Sequence, residues 1–473
     1  MAVPRLQRLL IFAAASLFVL GGSPFTRAAT PTSPRALVVA ATTDLKGKTS
    51  PCGCHIPRGG FARMAAFLDS TRAVGVPLLF VDAGGAFPDV DGRTDLAEFM
   101  FQSLVALQVD AMGVAPRDLR HGLAFLRDQI RRTNAPVVCA NLLDRTRHVP
   151  VFPTSRIVES GGVRVGIFSL VGGRFDLGPA KDSLFVDDPE NAATREVAAL
   201  RARGATVIVL LSQLGRVGGE DVMSAVLGID AVILGHDIPI IEHGRRIGGG
   251  VASYAGDQGQ QLGVVTITLG TDGHASDQSS DVRSLGPDVS EQPQMLASVR
   301  AFEDAYNERM RAEQRRAIAA ASADPDSDPV DHFVGQAVCA RCHAAETEQW
   351  ATTAHSLAWE TLVRERKDAT PECIPCHAVG YQQPGGFQNV ARTPHLVNVQ
   401  CENCHGMGTL HGESQQVRNP IGEATCKSCH NQERDPEFDF ATKFPLIVHG
   451  NSSGESIRII KSRRTQQSPR STR

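Results

Sequence analysis

The chain has 473 residues, with 48 Lys and Arg against 51 Asp and Glu and a formal charge of −3 at neutral pH. That length has room for about three domains, or for two large ones and a linker, and so balanced a charge gives no reason to expect a nucleic-acid partner. Past the first twenty residues no segment approaches an unbroken apolar run of membrane-spanning length, so no later span is expected.

In chain order, the first feature is a basic start (Arg5, Arg8), an apolar run from Leu9 to Leu20, and the small residues Ala28 and Ala29. That pattern describes a secretory signal peptide over 1–29, with an uncleaved anchor as the alternative. Export to the periplasm or cell surface follows as an expectation.

From 35 to 286 short β-branched runs alternate with amphipathic stretches. The expected strands are 36–41, 77–81, 136–140, 163–169, 206–211, 231–234 and 263–269; the expected helices are 96–107, 122–133 and 191–203. Such alternation predicts an α/β layered domain whose ligand site lies at the carboxyl ends of its strands. After the first strand comes Cys52-Gly53-Cys54-His55, and Cys139 ends another expected strand. The C-x-C spacing is too short for ordinary haem attachment. It leaves a labile, redox-active disulfide, a soft-metal site from Cys52, Cys54, His55 and Cys139 or His236, or plain structural cysteines.

Residues 292–321, rich in Ala, Glu and Arg, read as one long helix. An acidic, Pro-containing stretch at 323–329 makes 287–330 a helix and linker. The segment 331–450 then has few strand-like runs. Beyond it, 451–473 carries Arg458, Lys461, Arg463, Arg464, Arg470 and Arg473 against the single acid Glu455, and reads as a basic disordered tail.

The segment 331–450 holds eight of the 11 cysteines, in four C-x-x-C-H motifs: Cys339, Cys342, His343; Cys373, Cys376, His377; Cys401, Cys404, His405; and Cys426, Cys429, His430. C-x-x-C-H is the attachment signature of c-type haem. Its two thiols add to the haem vinyl groups, and the adjoining imidazole becomes the proximal iron ligand. Zinc is the rival reading of paired C-x-x-C, but a zinc ribbon has no need of histidine after every second cysteine. Four covalent haem c groups are therefore expected. Histidines available as distal ligands are His355 and His411, each close to a motif, and then His395, His449 and His332. Met407 is the one methionine of this segment, so bis-histidine irons of low potential are expected over His/Met ones.

The run Cys339, Cys342, His343, Trp350, His355, then Cys373 to His377, then Cys401 to His405 followed by His411, resembles the tetrahaem cytochrome c-554 family. The resemblance implies four closely packed haems relaying electrons between redox proteins, with one coordination position open in some members.

The first domain resembles the calcineurin-like metallophosphatase frame of secreted 5′-nucleotidases. The matching stretches run from Thr42 to Gly47, Gly59 to Arg63, Val81 to Gly85, Asp110 to Gly122, Ala140 to Leu142, Ser212 to Gly215 and Gly235 to Asp237. Members of that family clamp phosphate between two metal ions. Here Asp44 and His236 match family ligands, forming a vestigial metal site. Lys46, Gly85, Pro116, Arg117, Gln213 and Ile238 stand where others are required. The resemblance therefore implies the fold without the hydrolase. The expected function is exported electron transfer with a docking or ligand-binding domain. The alternative is a redox enzyme acting on a small sulfur or nitrogen compound through the Cys52 and Cys54 loop or an open haem, with a 5′-nucleotidase-type hydrolase behind it.

Overall fold

The computed structural model describes residues 35–51, 57–88, 92–320, 331–411, 421–431, 434–435 and 437–449. The expected signal peptide, the Cys52–His55 loop, the 323–329 linker and the tail lie outside the described residues.

The first domain is built from β1 (Arg35–Thr42), α1 (Phe61–Ala73), β2 (Leu78–Asp82), α2 (Thr94–Ala106), β3 (Ala111–Met112), α3 (Leu123–Thr133), β4 (Leu142–Asp144), β5 (Ser155–Ser160), β6 (Val163–Val171), β7 (Leu184–Val186), α4 (Pro189–Ala202), β8 (Val207–Gln213), α5 (Gly215–Ala225), β9 (Ala231–Leu234), β10 (Ile241–Ile247), β11 (Gly250–Tyr254), β12 (Gln261–Leu269) and β13 (Ala275–Ser284). The main sheet has the order β3-β2-β1-β12-β13-β10-β11-β9-β8-β6-β5. Its two halves are joined between β13 and β10 by a single residue pair, His243 with Asp281.

Period-two side-chain alternation sets the layers. On β6, Val163, Val165 and Ile167 face the residues of β1 and β2 (Leu37, Val39, Leu79, Val81) across a shared core. The intervening Phe168 and Leu170 pack under α4 and α5. On the other side, α1, α2 and α3 cover the first half of the sheet. The product is a helix–sheet–sheet–helix sandwich. Parallel pairing of β1 with β2, β6 with β8 and β8 with β9 aligns their carboxyl ends, where Asp44, Gly85, Gln213 and His236 follow.

The strand expected at 136–140 is reduced to one bridge, Val137 with Met112, because its neighbour β3 is itself only two residues long. The remaining expected strands and helices form within a few residues of their predicted bounds.

The long helix α6 (Pro293–Ala320) packs on α1 and α2, with Phe302 stacked on Phe99 at 4.2 Å between ring centres. Further along, Asn307 is buried and bonded to Thr370 and to the Arg366 carbonyl. Arg311 pairs with Asp368 at 2.6 Å and Asp304 with Arg366 at 2.7 Å. Arg93, stacked over the Tyr306 ring, reaches Glu372 at 2.9 Å. One helix thus fastens the sandwich to the C-terminal domain.

The C-terminal domain is short helices and turns, with one isolated bridge, Ala378 with Val397, among its described residues. Its apolar core is small: Phe333, Trp359, Leu362, Ile374, Ala378, Val379, Phe387 and Leu396. No described helix of the chain is long and apolar enough to cross a membrane.

Candidate functional sites: paired histidines and a closed metal cleft

Each C-x-x-C-H motif sits on a helical turn or its edge: Gln336–Cys339, Ile374–Cys376, Cys401–His405 and Glu423–Lys427. Helical spacing brings residues three and four apart to one face, so both thiols and the histidine of a motif can address one ligand. None of the eight motif cysteines is in a disulfide. The Cys339 thiol lies against that of Cys401, Cys376 against Cys429, and Cys404 near Cys426 and Cys429, so the motifs lie close together. Glu402, buried within the third motif, accepts the amide protons of Val334, Gly335 and Gly408 and holds the start of the domain against that motif.

Three motif histidines each face a histidine from outside the motifs. His343 faces His411, His430 faces His355 and His405 faces His449, each with ring centres 6.2 Å apart. An iron between two imidazoles, with about 2.0 Å to each nitrogen and about 1.1 Å from nitrogen to ring centre, calls for about 6.2 Å. The spacing therefore fits a metal between the rings. Burial, reinforced by His430 opposite, pushes the His355 imidazole down to about 4, so it stands in the neutral form that ligates metal. Burial likewise lowers His405, which shares its surroundings with His449, His343 and His411.

His377 differs. Its Nδ1 lies 2.6 Å from the Ala358 carbonyl, and among the described residues no second histidine ring faces it. His395 is exposed on a short turn, and His332 exchanges backbone hydrogen bonds with the Thr409 hydroxyl. The rings that face His343, His405 and His430 are those of His411, His449 and His355.

A second observation supports a large apolar group between these elements. The helices at Gln336–Cys339, Ala344–Ala351, Glu423–Lys427 and Phe440–Lys443 bury no side chain of their own. Imidazoles at iron spacing beside C-x-x-C-H motifs, and helices without a protein core, fit haem c. The four motifs, from Cys339 to His430, would hold the groups covalently and by their proximal imidazoles.

The strand ends of the sandwich form the other site. Asp44 and His236 come together there: the His236 amide donates to Asp44 Oδ2 at 2.7 Å, and the Thr43 hydroxyl donates to the same oxygen at 2.9 Å. Burial raises the Asp44 carboxyl to about 6. Where the metals would sit, the chain has closed. Lys46 Nζ bridges Asp237 at 2.8 Å and Asp257 at 2.7 Å; burial opposes its charge, but the two carboxylates outweigh that and raise the ammonium above its ordinary value. Gln213 Nε2 bonds Thr43 Oγ1 and the Gly84 carbonyl, leaving its buried Oε1 without a partner. The Asp118 carboxylate is spent on the amides of Gly85, Ala115 and Phe87. His236 stacks on Phe175 at 3.5 Å. Among the described residues no group of three or more His, Cys, Asp and Glu is arranged to hold a metal ion.

Asp44, Lys46, His236 and Asp237 all have positive φ, between 49° and 74°. Backbone strain of that kind in non-glycine residues clusters at functional sites. No sequence signal locates these strained positions. Cys139 does not reach the cleft mouth: it is fully buried in the core under α2 and α3, and burial pushes its thiol up to about 11. A side chain ending a run without strand pairing points where packing sends it, which here is inward.

Residues 338–406 match the model of the cytochrome c554 and c-prime family. Cytochrome c-554 of Nitrosomonas europaea is 30% identical, over 22% of this chain and 60% of its own length. The C-terminal domain is thus similar to a family whose members carry covalently bound haem c. The N-terminal part shares the fold of phosphoesterases. The 5′-nucleotidase precursor from Thermus thermophilus superposes with a TM-score of 0.51 at 21% identity, covering 57% of this chain and 59% of that one. Sulfate thiohydrolase SoxB from the same species gives 0.52 at 16% identity, covering 59% and 62%. The calcineurin-like phosphoesterase YfkN from Bacillus subtilis gives 0.50 at 19% identity, covering 58% of this chain and 98% of its own. These likenesses show the fold; the closed cleft above is this chain's own.

Proposed function

We propose that this chain is an exported electron-transfer protein with four covalent haem c groups. Three would be held between paired imidazoles and the fourth by His377, with its other axial face open. The reading is carried by the three histidine pairs at 6.2 Å, each joining one motif histidine to one histidine from elsewhere. Haem supplies one-electron redox chemistry. The protein's part is to fix each group through two thiols, to set each axial ligand, and to keep the set close enough for transfer. His355, His411 and His449 serve as the distal ligands, while the Ala358 carbonyl orients the His377 ring.

On this reading 331–450 is the haem domain and 35–286 a frame that docks redox proteins in the periplasm or at the cell surface, with α6 as the strut between them. Hydrolysis has no place in it, since an ammonium stands in the cleft and Gly85 has no side chain to bridge metal ions.

A second reading, a redox enzyme acting on a small nitrogen or sulfur compound, is favoured by one observation, the lone His377. The Cys52, Cys54 and His55 loop, with any soft metal it holds, lies outside the described residues and lends no support to either reading.

Carbon monoxide added to the dithionite-reduced holoprotein tests the arrangement. One haem in four should bind it, read from the Soret change against total haem. A protein in which no haem responds has no open face, and one that carries no covalent haem overturns the assignment.

A further inference from the structure

The four motif histidines differ in what their second ring nitrogen meets. In C-x-x-C-H ligation Nε2 takes the iron, which leaves the ring's proton on Nδ1. For His377 the acceptor of that proton is an uncharged carbonyl, Ala358 O. For His343 the nearest carboxylate, Glu346, is 4.0 Å away, beyond hydrogen-bond range. For His430 it is Asp435 Oδ2, at 2.7 Å. Among the described residues Asp435 is the one carboxylate within hydrogen-bond distance of a motif histidine.

Asp435 is built to stay there. Its side chain is 13% exposed. Its amide closes a turn on the Asn431 carbonyl at 2.8 Å, and neighbouring Arg434 is tied to the Glu372 carbonyl at 2.7 Å. The far face of the His430 ring is covered by Phe438, stacked at 4.7 Å between ring centres and 21° between planes. The imidazole is thus fixed both in rotation and in the direction of its N–H.

We propose that Asp435 is a positioning residue for the His430 imidazole and that its carboxylate holds the reduction potential of that haem below what an uncharged acceptor would allow. A carboxylate accepting the Nδ1 proton increases the electron density that the ring gives the metal, and partly buried negative charge favours the more positive ferric state. The one-electron couple at this centre then releases its electron more readily toward the others. The proposal rests on the reading that His430 and His355 share one iron.

Spectroelectrochemical titration of full-length holoprotein tests it, comparing wild type with Asp435→Asn and Asp435→Glu. In Asp435→Asn one couple should move positive by a factor of ten or more in its reduction equilibrium, ~59 mV for one electron. The remaining couples and the haem content should stay unchanged. Asp435→Glu, which keeps the carboxylate, should stay near wild type. If no couple moves in Asp435→Asn, or if Asp435→Glu shifts as far as Asp435→Asn, the proposal fails. His355→Ala reports separately on the shared iron. It should turn high-spin the same centre whose couple Asp435→Asn moves. A His355→Ala spectrum identical to wild type fails the pairing, whereas a new high-spin centre with an unmoved Asp435→Asn couple fails Asp435 alone.

Discussion

A side chain at position 85 would begin 2.5 Å from Oδ1 of Asp44. Gly85 has φ +85°, and Asp44 fills the space that a side chain at 85 would need. Gly85 thus admits Asp44, and Asp44 and Thr43 are tied to His236 and Gln213.

Restoring the family residue with Gly85→Asp should destabilise the domain without creating a hydrolase. The left-handed backbone alone costs about 1–3 kcal/mol for a non-glycine residue, and the clash with Asp44 adds to it. Thermal melts should show the loss. Nucleoside monophosphate assays with manganese, zinc or calcium should stay at the metal-free rate for wild type and variant alike; clear turnover in either would contradict the closed cleft.

Asp82 gives a pH signature. It is fully buried, accepting from the Thr42 hydroxyl at 2.7 Å and the Gly84 amide at 2.9 Å. Burial, with Asp118 and Asp44 nearby, raises its carboxyl to about 7. A raised folded-state value means that the proton stabilises the fold. That contribution is complete below the ordinary carboxylate range and is lost as pH rises through about 7. Asp82→Asn, which mimics the protonated acid, should be increasingly more stable than wild type from pH 4 to pH 8, by on the order of 2–4 kcal/mol at the upper end. Melts in which the difference stays flat over that range would show that the carboxyl titrates normally.

Much of this architecture is legible in the sequence because its strands are nearly continuous apolar runs, buried on both faces. β8 and β9 are the clearest cases. What escapes are elements whose composition argues the other way. Helix α5 carries Gly215, Gly218 and Gly219, poor helix formers, yet a Cβ on Gly219 would come within 2.2 Å of the Leu234 side chain, so close packing on β9 is what requires glycine. Strands β10 and β13 are mostly polar and become strands only through pairing with β11 and β12. In the C-terminal domain the motifs announce their own ligands, and nearness to a motif suggests His355 and His411. His449 gives no comparable local signal, because its partner His405 is reached through the fold rather than along the chain.

The strut between domains can be weakened at one residue. Asn307 is 2% exposed, and its amide serves both the Thr370 hydroxyl and the Arg366 carbonyl. Asn307→Ala removes two part-buried hydrogen bonds, those to the Thr370 hydroxyl and the Arg366 carbonyl, at about 0.5–1.5 kcal/mol each. Wild type should melt in one transition seen alike by far-ultraviolet dichroism and by the haem Soret band. In the variant the Soret transition should move lower than the dichroism of the sandwich. Coincident, unshifted transitions would show that α6 is not what couples the domains.

The histidine pairs make the sharpest set of predictions, because five candidates divide into three and two. His355→Ala, His411→Ala and His449→Ala should each convert one low-spin haem to high-spin, by removing the ring that faces His430, His343 and His405 respectively. His395→Ala and His332→Ala should leave the spin state unchanged, since other rings already face His343, His405 and His430. Covalent haem content should be unaltered in all five, because the thiols are untouched. Electron paramagnetic resonance of the oxidised proteins separates the cases, and combining two distal substitutions should add their high-spin signals, as independent irons require. A low-spin signal that survives His449→Ala but vanishes in His395→Ala would show that the third motif takes its second ligand from the turn at Pro394–Leu396, and that the 6.2 Å approach of His405 and His449 is not a ligand pair.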